Sequence, residues 1–361
     1  MHTAICDLFG VRYPIVQTGM GYVSGARLTA ATSAAGGLGV IGSATMSLAE
    51  LEAAIRAVKE RTPAPFGVNL RADATDARDR VDLLIREGVR VASFALAPKP
   101  ELIARLKDAG IVVVPSIGAR RHAEKVAAWG ADAVVVQGGE GGGHTGGVAT
   151  SLLLPQVVDA VEIPVIAAGG YFDGRGLVAA LAYGASGIAM GTRFLLTSDS
   201  EVPEAVKRAY LAASVYDTVW TDVLDGLPQR LLRTPFVDRL ARAGRARRLA
   251  RSVRSAAALR RHTGMSWRDM VSEGLSMRRS HELRLSQVLL AANTPALLRS
   301  AMVDGRTDLS VMATGQVVGL IDDLPCCAEL VERIMEQARD VVARLACPAP
   351  AASEERGDAG V

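Results

Sequence analysis

From Ile15 to Gly191, short β-branched runs alternate with turns carrying Gly or polar residues and with longer amphipathic stretches rich in Ala, Leu, Arg and Glu. That rhythm predicts repeated βα units. Strands are expected at Ile15–Gln17, Leu38–Ile41, Phe66–Leu70, Val91–Ala95, Ile111–Pro115, Ala133–Gln137, Pro164–Ala168 and Gly187–Met190. The helices between them start at caps such as Ser47, with Glu50 three residues on, a pairing that satisfies free N–H groups of the first helical turn. Parallel strands need right-handed crossovers and cover on both faces, so such a run either closes into a barrel or stays open as a doubly wound sheet. The first strand lacks a phosphate-binding fingerprint and eight units nearly exhaust the pattern. The expected fold is therefore α/β, a (β/α)8 TIM barrel.

After Phe194 the rhythm breaks. Residues 216–300 read as helices without strands, an inserted helical subdomain over the barrel mouth, between a barrel of residues 1–215 and a return segment with a C-terminal helix at 301–347. Residues 348–361, opening on Pro348, read as a flexible tail. The insert carries an arginine series that includes Arg247, Arg248, Arg251 and Arg254. Such a series is either a solvated helix face or a seat for an anionic substrate tail such as the phosphates of coenzyme A.

Composition narrows the class. Of the 361 residues 49% are hydrophobic but only 4% aromatic, while 36 are Gly, so the core is built from Ala, Val, Leu and Ile with close backbone approaches. With 41 basic and 38 acidic residues, the net charge of +3 is too balanced to draw nucleic acid by bulk electrostatics. Cys6, Cys326, Cys327 and Cys347 show no C-x-x-C spacing, which argues against both a disulfide scaffold and a cysteine-type zinc site, and no metal is expected. The first ten residues include Asp7, and no apolar run approaches the roughly 18 residues of a membrane span, so a cytoplasmic protein is expected.

The richest stretch for chemistry is Val134 to Gly147, where an expected strand runs into a glycine-dense loop bearing His144. Gly141, Gly143 and Gly146 formally satisfy G-x-G-x-x-G. The next strand, however, ends in Ala167-Ala168-Gly169-Gly170 instead of the acidic residue a dinucleotide ribose requires. What remains is a bare-backbone loop at the end of a barrel strand, with one imidazole able to exchange protons near neutral pH. His144 is the candidate catalytic residue. Gly169-Gly170 and Gly191-Thr192 follow the seventh and eighth strands, where barrels commonly hold phosphate, so a phosphorylated cofactor is expected.

Several co-ordered motifs resemble the FMN-dependent nitronate monooxygenase family. They are Pro14 to Met20, Ala35 to Gly39, Pro65 to Leu70, Gln137 to Gly146, Pro164 to Gly170, Met190 to Arg193 and Thr314 to Gln316. The resemblance implies FMN contacts at Gly19, Met20, Gly21, Asn69, Gln137, Gly142, Gly143, Gly169, Gly170, Gly191, Thr192 and Gln316, and a proton-transfer or substrate-positioning role for His144. Two features depart from nitronate enzymes: Thr18-Gly19-Met20-Gly21 stands where they commonly carry Ala-Pro-Met, and the insert is large and Arg-rich. Arg71 to Ala74, Arg90 to Lys99, Phe194 to Ser200 and Ala291 to Pro295 resemble an actinobacterial subgroup instead. Its members are FMN-dependent acyl-CoA dehydrogenases of steroid C/D-ring degradation acting on an indane-carboxyl-CoA. That resemblance implies α,β-dehydrogenation of a bulky acyl-CoA or its reverse, with the insert arginines on the substrate. It leaves NAD(P) open as a second redox partner, and homo-oligomerisation open as well. Nitronate oxidation with oxygen and a flavin-binding protein without turnover are the rival readings.

Overall fold

The computed structural model describes residues 1–242, 294–308 and 310–346. Among them the strands, in chain order, are β1 (Ile15–Gln17), β2 (Leu38–Gly42), β3 (Phe66–Arg71), β4 (Val91–Ala95), β5 (Val112–Ile117), β6 (Val134–Gln137), β7 (Gly143–His144), β8 (Val165–Ala168), β9 (Gly187–Met190), β10 (Thr218–Thr221) and β11 (Gln229–Leu232). The eight expected strands are all present, with ends shifted by no more than two residues. They close a parallel barrel in the order β1-β2-β3-β4-β5-β6-β8-β9, and β9 returns to β1 through Ile15↔Ile188 and Val16↔Ala189. This is the (β/α)8 barrel expected from the periodicity.

The helices are α1 (Ala4–Phe9), α2 (Ala26–Ala34), α3 (Leu48–Arg61), α4 (Ala77–Arg86), α5 (Pro100–Asp108), α6 (Arg120–Ala128), α7 (Thr150–Val158), α8 (Gly174–Ala182), α9 (Thr192–Leu195), α10 (Glu204–Leu211), α11 (Pro235–Arg242), α12 (Thr294–Met302) and α13 (Cys327–Ala346). Helix α3 begins as its sequence suggests: Glu50 N donates to Ser47 Oγ at 3.3 Å, while Ser47 N donates to Glu50 Oε2 at 2.7 Å.

Strand alternation divides the core. Val16, Val40, Val91, Val114, Val135, Ile166 and Ala189 cluster inside the barrel with Ile5 and Phe9 of α1. Ile41, Val68, Phe94, Val113, Val134, Val136, Ala167 and Ile188 pack outward against the helices. Gly187 makes room for the floor, since a Cβ there would lie 2.5 Å from Ile5 Cδ1. Helix α13 closes the outer layer over α2 and α8, with Cys327 fully buried and its thiol 3.6 Å from Thr32 Oγ1.

The expectation of helices without strands from residue 216 is wrong at its start. Thr218–Thr221 and Gln229–Leu232 form an antiparallel hairpin that pairs with β7, giving a second sheet in the order β10-β11-β7. The hairpin is held because the polar members of its short strands find partners: Gln229, 3% exposed, and Arg230 both bond within the site. Residues 243–293 of the expected insert, and its four candidate arginines, lie outside the described residues. Among the described residues no helix is long and apolar enough to cross a membrane.

Candidate active site

The glycine loop after β6 is pinned at several points. Gln137 Nε2 donates to the carbonyls of Gly142 and His144, both at 3.1 Å, folding the loop back over its own strand end. Glu140 anchors it to α7 by accepting from Thr150 N at 2.9 Å and Thr150 Oγ1 at 2.7 Å. Its peptide oxygen also accepts from Gln316 N at 2.9 Å. At Gly142 the loop presses on the return segment, and a Cβ there would sit 2.5 Å from the Thr314 carbonyl carbon. Gly143 turns the chain at φ +68°, a region open to glycine at little cost, and delivers His144 into register opposite Gln229.

His144 therefore stands on a two-residue strand rather than in a free loop. Its Nε2 lies 2.8 Å from Asp225 Oδ2, and the two side chains are 54% and 6% exposed. The ring is thus gripped on one side by a buried carboxylate and open on the other. Asp225 Oδ1 in turn accepts from Leu227 N at 3.0 Å and Gln229 Nε2 at 3.1 Å. Beside this pair, Arg230 donates to the Gly139 carbonyl through Nε and Nη2 at 3.0 and 2.8 Å, and to Thr218 Oγ1 at 3.1 Å. Trp220, half exposed, donates from Nε1 to the Thr145 carbonyl at 3.4 Å.

The other sequence-predicted residues gather at the same C-terminal end of the barrel. Gly19, Met20 and Gly21 follow β1; a Cβ on Gly19 would meet Asn69 Cβ at 2.4 Å, and one on Gly191 would meet Met20 Sδ at 3.3 Å. Asn69, on β3, donates from Nδ2 to Ser93 Oγ at 3.2 Å. Gly169 and Gly170 leave β8 at φ +100° and +84°, and Gly169 sits against the Gly138 carbonyl. Gly191 caps α9, Thr192 Oγ1 accepts from Gly315 N at 3.1 Å, and Gln316 opens a short 3-10 turn running to Leu320. The loops after β1, β6, β8 and β9 and the return segment thus meet around one mouth. Tyr171, just beyond Gly170, is pushed above the ordinary phenol range by burial and by the Glu140 carboxylate, and stays neutral.

The donor set fits FMN. A Cβ on Gly143 would find no heavy atom within 4 Å, and one on Gly170 none closer than Glu140 Cβ at 3.8 Å, so bare backbone faces open space there. Asn69 keeps one N–H and its amide oxygen, and Gln137 its amide oxygen, for a flat heterocycle, and the Gly191-Thr192 turn offers N–H and hydroxyl groups to phosphate.

Asp225 and Arg230 were not singled out from sequence. A signal for the first existed: Asp225-Gly226 lies between Thr218-Val219-Trp220-Thr221 and Gln229-Arg230-Leu231-Leu232, two strand-forming runs around a turn dipeptide.

Known proteins resemble this chain in sequence and fold. Over 341 residues the chain is 63% identical to a Mycobacterium tuberculosis protein named (3aS,4S,5R,7aS)-5-hydroxy-7a-methyl-1-oxo-octahydro-1H-indene-4-carboxyl-CoA dehydrogenase, covering 94% of this chain and 96% of that one. A Rhodococcus jostii protein of the same name is 59% identical over 338 residues, with the same coverage of both. FabK from Thermotoga maritima superposes with a TM-score of 0.78 at 34% identity, covering 96% of this chain and 98% of that structure. Matched by the nitronate monooxygenase family model over residues 2–337, the chain belongs to that family of flavin-dependent oxidoreductases.

Proposed function

We propose that the chain is an FMN-dependent oxidoreductase that introduces, or in reverse removes, an α,β double bond in a bulky steroid-derived indane-carboxyl-CoA. The observation that carries the reading is the imidazole of His144, held by a buried carboxylate and half exposed, on the glycine loop that follows barrel strand β6. The acyl-CoA class is supported by two relatives of at least 59% identity over nearly the whole of both chains, each named a dehydrogenase of an indene-carboxyl-CoA. Gly19, Met20, Gly21, Asn69, Gln137, Gly142, Gly143, Gly169, Gly170, Gly191, Thr192 and Gln316 would hold the FMN.

FMN held by these residues would supply the two-electron acceptor for the hydride lost from the carbon β to the thioester carbonyl. His144 takes the α-proton at the same time, and alignment of the two events matters because a thioester α-proton is too weakly acidic to leave unaided. Replacing His144 with Ala is expected to keep flavin affinity and lower turnover roughly 10²–10⁴-fold. Loss of flavin with a normal rate per bound FMN would instead make His144 a cofactor ligand.

Anaerobic mixing tests the substrate class: a polycyclic acyl-CoA should bleach the flavin and propyl nitronate should not. Bleaching by the nitronate alone would return the chain to nitronate oxidation, and bleaching by neither would favour binding without turnover. Adding NADH or NADPH in the same instrument tests a nicotinamide as second redox partner. Arg247, Arg248, Arg251 and Arg254 are assigned to the CoA phosphates, which forked guanidinium contacts suit. Neutralising Arg247 with Arg248, or Arg251 with Arg254, should raise KM for the acyl-CoA and weaken competition by CoA without changing FMN affinity. Unchanged kinetics in both double variants would make these arginines a solvated face.

A further inference from the structure

We infer that Asp225 is the positioning residue that fixes the tautomer of His144, keeping the proton on Nε2 so that Nδ1 is the nitrogen that exchanges the substrate proton. The second half of this statement rests on the proton-transfer reading of His144; the first does not.

The hydrogen-bond inventory around the carboxylate leads there. Asp225 is 4% exposed and an ionised carboxylate only accepts, so its buried oxygens need donors. Leu227 N and Gln229 Nε2 supply Oδ1. Oδ2 faces His144 Nε2 at 2.8 Å. A neutral imidazole has one N–H, and with the proton on Nδ1 the Nε2 lone pair would point at the carboxylate oxygen. The arrangement therefore selects Nε2–H and leaves the lone pair on Nδ1.

The backbone fixes the point from which the ring reaches Asp225. His144 is in ladder register with Gln229, and its carbonyl is held by Gln137. Gln229 also donates to Asp225, so one residue sets both the strand carrying the imidazole and the carboxylate that reads it. The two partners lie 81 residues apart in the chain, one after β6 and the other between β10 and β11, so their meeting is a product of tertiary structure.

A purely structural role is the competing explanation, because Asp225 Oδ1 also braces its own turn through Leu227 N. Asp225→Asn separates the two. An amide keeps one acceptor oxygen for Leu227 and Gln229 but presents an NH2 donor to His144, which favours the opposite tautomer. In flavin-loaded protein labelled with 15N-histidine, His144 should appear as the Nε2–H form in the parent and as the Nδ1–H form in Asp225→Asn. Turnover should fall roughly 10²-fold or more, with KM and FMN affinity within about twofold, as expected when a base is held in the wrong tautomer. In a His144→Ala background the same change should cost nothing further. An unchanged tautomer would overturn the assignment, as would an equal loss of rate with and without His144. Full turnover in His144→Ala alone would instead overturn the proton-transfer reading, a failure distinct from that of the tautomer.

Discussion

Gly142 and Gly143 are adjacent and bare for different reasons. At Gly142 the constraint is space, since an added methyl would lie 2.5 Å from the Thr314 carbonyl carbon and 2.6 Å from Gly315 N, both backbone atoms that cannot swing aside. At Gly143 the constraint is the dihedral angle, φ +68°, with no atom in the way. Gly142→Ala should therefore push the return segment off the loop, costing about 1–3 kcal/mol by overpacking and weakening FMN binding. Gly143→Asn should fold nearly normally, because Asn tolerates the left-handed region, whereas Gly143→Val should lose more than the ~1–2 kcal/mol that an ordinary residue forfeits there. Thermal melts with flavin titration compare all three, and equal losses for Gly142→Ala and Gly143→Asn would refute the distinction. A neighbouring-cysteine pair offers a chemical test of burial. Cys327 is fully buried and its thiol is pushed up to about 12 by desolvation, while Cys326 is only half buried. The folded protein should be alkylated at Cys326 long before Cys327. Since the folded value lies above the ordinary 9.0, burial of the Cys327 thiol favours the fold fully below about pH 9 and progressively less as pH rises from there toward 12.

Among the elements, the barrel strands and the cap of α3 were legible because each obeys local rules. Val134-Val135-Val136 is β-branched whatever surrounds it, and Ser47 with Glu50 satisfies its helix end within four residues. The hairpin was not legible in the same way. Its second strand opens on two polar residues, Gln229-Arg230, and Gln229 is buried with its amide donated to Asp225, four residues earlier. The two-residue β7 was equally hidden: Gly143-His144 has no strand propensity, and it pairs because β11 offers it an edge. His144 itself could be singled out from its glycine surroundings, but its partner could not, since contact across 81 residues leaves no local mark. The hairpin edge also receives the return segment, through Leu232 N to the Met312 carbonyl at 2.8 Å and the Leu231↔Ala313 bridge. Tyr210, on α10, braces that segment from below by donating to the Ala313 carbonyl at 2.8 Å. Tyr210→Phe is expected to lower stability by about 0.5–1.5 kcal/mol and to weaken FMN binding in parallel, measured by melting with and without flavin. A loss of stability with unchanged FMN affinity would show that the brace does not reach the mouth.

At the scale of the whole molecule the hairpin has a small core of its own, joined to the large barrel cluster through Leu232 of β11. Large clusters fill the barrel and its helical layer, whereas Val223, Leu224, Leu231, Phe236, Val237, Leu240 and Val311 form a small cluster of their own. Free energy of local opening follows such divisions, so hairpin amides should exchange hydrogen well before those of β2 to β5, and FMN should slow the hairpin most. Uniform protection in both states would argue for one cooperative unit. The seam where β11 takes β7 on one part of its edge and residues 312–314 on the rest has a consequence for how the protein is made. A ribosome has released every barrel strand once Met190 emerges, yet Thr192 waits for Thr314, 122 residues further along the chain. During that interval the nascent chain holds all eight barrel strands, but its glycine loop lacks the contact with the return segment. Translation that stops between Met190 and Met312 would thus leave all eight barrel strands but neither the return segment nor α13, so such truncations should lose the flavin colour.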